Sequence, residues 1–140
     1  MEKIINFAVL KFVMAKRIRK DKKTALKLLN IILEAVDEKK AQNIVALDLT
    51  RIETRVCDYF VICHADTTTQ IESIVENIQV KTKKELNEAP YSVEGKQNAY
   101  WVILDYVNIV VHVMQTQARE YYELEKLWAD ALIVKLNNVV

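Results

Sequence analysis

The chain of 140 residues is 51% hydrophobic and holds a single Gly and a single Pro, a composition that fits one compact core and excludes disordered or collagen-like chains. With Gly95 as the only glycine, neither a phosphate-cradling P-loop nor a dinucleotide fingerprint can be built. The net charge of +1 hides an asymmetry: residues 1–23 carry eight Lys or Arg against Glu2 and Asp21, which leaves twelve basic and seventeen acidic residues in the remainder.

An acidic body disfavours a phosphate backbone and suits a basic protein partner. Residues 4–14, IINFAVLKFVM, are too short to span a membrane, and most of the positive charge follows them, the reverse of a signal peptide. The expected natural start is Met14, so that residues 1–13 are an upstream extension. Together with the residues up to 23 they form a basic extension ahead of a single domain at 24–140.

From Ala25 the apolar residues Ala25, Leu29, Ile32, Leu33 and Val36 share one helical face. The spacing predicts a helix to about Lys40, capped at Asp21 or Thr24. Ile44 to Leu49 is aliphatic and too short for a helix, hence a strand; residues 50–58 are a charged connection. Tyr59 to Cys63, YFVIC, is apolar on both parities, as a strand covered on both faces must be. Thr67 to Gln70 matches a capping box and predicts a second helix with the face Ile71, Ile74, Val75, Ile78, Thr82 and Leu86, stopped by Pro90.

Val93 to Gly95 reads as a turn or bulge. Two strands follow, Trp101 to Leu104 and Ile109 to Met114, as an antiparallel hairpin near a sheet edge, with Asn108 taking a positive φ in the connection. A helix or loop from Arg119 to Trp128 closes the body. The predicted fold is α/β (α+β), a single mixed β-sheet flanked by helices, with a crossover from the strand at Tyr59 through the long helix to the strand at Trp101.

Few groups for catalysis converge. Cys57 and His64 flank a strand and lie roughly 17 Å apart, too far for a nucleophile dyad. His64, Asp66 and His112 lack a third close-spaced ligand, so no metal and no cofactor is expected. His112, among valines, reads as a hydrogen-bonded structural histidine, and Cys63 as a small core residue. An enzymatic alternative, a small nucleotidyltransferase-like activity, would have to use Asp48, Asp58 or Asp105. Trp101 is either core or interface anchor. Tyr121 and Tyr122 cannot both face inward from adjacent positions.

Several stretches in this order are similar to one family. CDYFVIC at 57–63, Gln70 at the helix start, VEG at 93–95, WVILDY at 101–106, VVHVM at 110–114 and REYYELEKLWADA at 119–131 together resemble the Iojap-like ribosomal silencing factors, RsfS. The resemblance runs from about Thr24 to Ala131. It implies a nucleotidyltransferase-like fold without the catalytic Gly-Ser and Asp-x-Asp motif, which this sequence indeed lacks, and hence no enzymatic activity. It further implies a cytoplasmic factor that binds large-subunit ribosomal protein fourteen, sterically blocks joining of the small and large subunits and so represses translation. Homodimerisation is a further property that the resemblance implies, whereas nucleic-acid specificity and membrane attachment are not expected. Carried onto this chain, the expected partner-binding residues are Trp101, Leu104, Val113, Met114, Arg119 and Tyr122. Family members often carry Gly where this chain has Val107.

Overall fold

The computed structural model describes residues 21–128 and 131–134; the expected extension at 1–13 lies outside them. The elements are α1 (Lys22–Glu38), β1 (Gln42–Asp48), β2 (Tyr59–Ala65), α2 (Thr68–Leu86), β3 (Ser92–Glu94), β4 (Trp101–Asp105), β5 (Ile109–Gln115), α3 (Thr116–Tyr122), α4 (Leu124–Leu127) and β6 (Leu132–Val134). The six strands form one mixed sheet in the order β3-β4-β5-β2-β1-β6. This is the α+β architecture that the sequence predicts.

Local chemistry sets the helix ends. The Asp21 carboxylate accepts from the Thr24 backbone N–H at 2.8 Å, so α1 starts at Lys22. The Thr67 hydroxyl accepts from Gln70 N–H at 3.2 Å and starts α2 as predicted. Only half of the capping box forms, because the Gln70 side chain donates across to the Lys40 carbonyl. Pro90 does not end α2. Asn87 does so, in the left-handed region at φ 54, with its N–H on the Lys83 carbonyl. Asn tolerates that conformation better than most side chains.

The sheet corrects the predicted connections. β2 runs parallel to β5, not to β4, and β4 joins the sheet as the antiparallel neighbour of β5. The crossover from β2 through α2 therefore lands on β5. The hairpin lies near a sheet edge, as expected, with one strand beyond it: β3, read from the sequence as a turn, pairs antiparallel with β4 and covers it. Gly95 follows β3 at φ 82, where a Cβ would run into the Trp101 carbonyl oxygen, so the one glycine is needed for this close approach.

In the hairpin connection Val107, not Asn108, takes the positive φ, at 75°. Asn108 N–H bonds the Tyr106 carbonyl at 3.0 Å, closing a three-residue γ-turn of the rare positive-φ kind. A β-branched residue is strained there. The Asp105 carboxylate, which accepts from Val107 N–H at 2.8 Å, helps to hold it.

Strand alternation divides the core in two. On one face Val61, Cys63, Val102, Leu104, Val111 and Val113 pack against Leu29, Ile32 and Val36 of α1 and Ile71, Ile74 and Ile78 of α2. On the other, Phe60, Ile62, Trp101, Ile103, Val110 and Met114 are covered by Leu49, Val56 and Cys57 of the charged connection and by Ala118 and Leu124 of the closing segment. Among the described residues no helix is long and apolar enough to cross a membrane.

Candidate partner-binding surface

Trp101, Leu104, Val113 and Met114 are all inside the protein, and they point to opposite faces of the sheet. Both strands are covered front and back, so these side chains have no surface to offer a partner. The expectation that they form a contact patch is corrected: they hold the hairpin in place. Trp101 accordingly is core. Its indole N–H donates to His112 Nδ1 at 3.0 Å, which makes His112 the structural histidine expected; burial pushes its pKa down to about 3.

Arg119 is also interior, only 7% exposed. Tyr122 is half-buried and lies with its ring centroid 4.8 Å from that of Trp101. Of the six expected residues it alone is only partly buried. Its neighbour Tyr121 is 72% exposed and packs edge-on against the Tyr122 ring, so one of the adjacent tyrosines faces out, as the sequence required. The signal for this was available: Ala118, Arg119 and Tyr122 fall on one side of a helix and Tyr121 does not. Leu127 of α4 is exposed beside them in sequence. With Glu120 and Glu123, also exposed, the closing segment offers aromatic, aliphatic and anionic groups together.

Arg119 lies beneath this surface. Its Nη1 donates to the Asn43 carbonyl at 2.6 Å and stands 3.0 Å from His64 Nδ1, while Nε faces Glu125 at 3.3 Å. A cleft of about 370 Å³ opens here, lined among others by Asn43, His64, Thr116, Arg119 and Glu120. It sits at the carboxyl ends of the parallel pair β2 and β5, the place where α/β sheets present their sites. Burial and the Arg119 charge hold the His64 pKa below the ordinary histidine value. The Asp66 carboxylate is held below its usual range by hydrogen bonds from Thr116 and Gln42.

The groups weighed for catalysis are drawn into separate local structures. Asp48 accepts from Thr50 N–H at 2.9 Å. Asp58 takes Arg55 Nε at 3.1 Å and Asn108 Nδ2 at 2.6 Å, and Asp105 serves the γ-turn. The Cys63 thiol is buried and pushed up to about 12, far from a nucleophile's range. Among the described residues no group of three His, Cys, Asp or Glu could hold a metal ion.

Comparison with known proteins adds the following. Residues 22–139 match the RsfS family, "Ribosomal silencing factor during starvation". A ribosomal silencing factor RsfS of Halalkalibacterium halodurans is 39% identical over 113 residues, 81% of this chain and 95% of that protein. A crystal structure of a Chromobacterium violaceum protein superposes with a TM-score of 0.69 at 28% identity, covering 74% of this chain and 84% of that one. The mouse protein named mitochondrial assembly of ribosomal large subunit protein 1 is 33% identical over 103 residues, 71% of this chain and 44% of that longer protein.

Proposed function

The chain belongs to the RsfS family of ribosomal silencing factors, and on that premise we propose that it binds large-subunit ribosomal protein fourteen through the outer surface of α3 and α4. Bound there, it blocks the small subunit from joining and represses translation in the cytoplasm. The observation that carries the reading is the exposure of Tyr121 and Leu127 in the same short segment as Glu120 and Glu123. Interfaces concentrate their energy in such aromatic anchors, and a carboxylate rim suits a basic ribosomal protein. The large-subunit name of the mouse relative supports the choice of subunit. A steric block needs no catalytic group.

The test is sedimentation with purified large subunits. The chain should co-migrate with them, and should fail to do so once small subunits are already bound. Tyr121→Ala should weaken binding roughly thirtyfold, about 2 kcal/mol, while changing stability by no more than about 0.5 kcal/mol. A Tyr121→Ala protein that blocks subunit joining at wild-type concentrations would move the contact surface elsewhere.

A second reading, self-association, has its own observation. The edge strand β6 exposes Leu132 and Ile133, the latter by 72%, and an apolar sheet edge invites pairing with another strand. A homodimer would form there and not at the hairpin, which β3 covers. A sedimentation-velocity run showing a monomer at all concentrations would remove this reading.

A further inference from the structure

We propose that Arg119 is a positioning residue, and that with a neutral His64 it forms a latch which holds the α3–α4 surface on the sheet and lets go when His64 takes up a proton. The inference rests on the proposed function only for what α3 and α4 bind.

The closing segment has little helical stability of its own, and beside the apolar contacts of Ala118 and Leu124 it is held by polar ties to the sheet. α3 has seven residues and α4 four, and neither has a side-chain N-cap hydrogen bond. Helices this short are not stable by themselves. Arg119 supplies polar contacts in three directions. Nη1 donates at 2.6 Å to the carbonyl of Asn43, a residue at φ 47 where the β1–β2 register shifts between Gln42 and Val45. The same Nη1 is 3.0 Å from His64 Nδ1 at the end of β2. Nε reaches Glu125 of α4. One side chain thus ties α3 to β1, β2 and α4.

The contact with His64 fixes a protonation state. A guanidinium only donates, so Nδ1 must accept and the ring proton must be on Nε2. A doubly protonated ring has no acceptor and would set two cations 3.0 Å apart. Asp66 after β2, Glu120 on α3 and Glu125 on α4 favour the charged ring, yet burial and Arg119 act against it and depress the His64 pKa. Asp66 is meanwhile turned to Thr116 and Gln42.

The direction follows from linkage. The closed form favours the neutral ring, and once α3 lifts away the ring recovers an ordinary pKa near 6.5. Below that value the open form binds more protons than the closed one, so falling pH favours opening, by up to about tenfold per pH unit for one proton. Above it both forms are neutral and the latch is indifferent to pH.

The chain has two histidines, so imidazole NMR of the full protein can follow each separately. The expected result is an unprotonated His64 Nδ1 at neutral pH and a midpoint below 6.5. Amide exchange of α3 and α4, corrected for intrinsic rates, should quicken by up to about tenfold from pH 7.5 to 5.5. His64→Gln offers an acceptor without a titration and should keep the segment closed while removing the pH dependence. Arg119→Ala should open it at every pH, and Arg119→Lys should restore closure only in part. A His64 midpoint at or above 6.5, or an unchanged pH slope in His64→Gln, would overturn the latch. Large-subunit binding across the same pH range separates the two readings. Opening that leaves binding unaltered sinks the α3–α4 contact surface and leaves the latch standing, whereas pH-independent exchange sinks the latch whatever binding does.

Discussion

The two faces of the sheet are covered by different means. One lies under α1 and α2, helices of seventeen and nineteen residues whose buried stripes are almost wholly apolar, the exception being Thr82. Even that hydroxyl is used, donating to the Ile78 carbonyl at 2.9 Å and receiving Tyr106 at 2.8 Å. The other face lies under a charged connection and two short helices. Polar contacts help to hold this cover down, from Arg119 to Asn43 and His64. A long amphipathic helix is held by buried area, while a short one needs directional contacts to stay in place. Directional contacts can be broken by one proton or one substitution, so the proposed binding surface and its proposed latch both belong to the second face.

The largest effect that would break this comparison is expected at Trp101. Trp101→Ala removes the biggest side chain of the second face and strips His112 of its donor, so a loss of about 4 kcal/mol is expected in chemical denaturation. A change below about 1 kcal/mol would mean that the indole is a surface group after all. Acid should act next. His112 has a folded pKa of about 3 against an ordinary 6.5 in the unfolded chain. The unfolded state therefore binds the extra proton as pH falls below 6.5, and stability should drop by about 2 kcal/mol from pH 6 to 4.5. Denaturation midpoints that stay level from pH 6 to 4.5 would contradict the buried neutral ring.

Smaller effects sharpen the contrast. On the helical face Thr67→Ala deletes the cap of α2 and should cost about 1 kcal/mol, read as a lower denaturation midpoint with unchanged slope. At the turn joining β4 to β5, Val107→Gly should raise stability by somewhat under 1 kcal/mol, since relief at φ 75 outweighs the added freedom of glycine in the unfolded chain. A destabilised Val107→Gly protein would show that the isopropyl group contributes more by packing than it costs in strain.

Much of this protein was legible without coordinates. The cap at Thr67, the first cap narrowed to Asp21 or Thr24, the helical stripe from Ala25 to Val36, the doubly covered strand at Tyr59 and the family motifs from Cys57 to Ala131 are all local signals, set by spacing over a few residues. They suffice for most of the elements, though not for β3 or β6, and for the fold class and the family.

The tertiary structure alone decided which strand lies next to which, and with that the fate of the expected contact residues. Pairing joins residues far apart in sequence, such as Tyr59 with Ile109, and no local period encodes it. WVILD and IVVHVM, covered on both faces, show no alternation of apolar and polar residues from which an outward side could be told. The sequence therefore leaves Trp101 open between core and interface anchor, and nothing local sets aside Met114 from the contact residues that the resemblance implies. Likewise nothing near His64 in the sequence announces Arg119, which comes 55 residues later; only the fold sets one beside the other, where a guanidinium dictates the state of an imidazole.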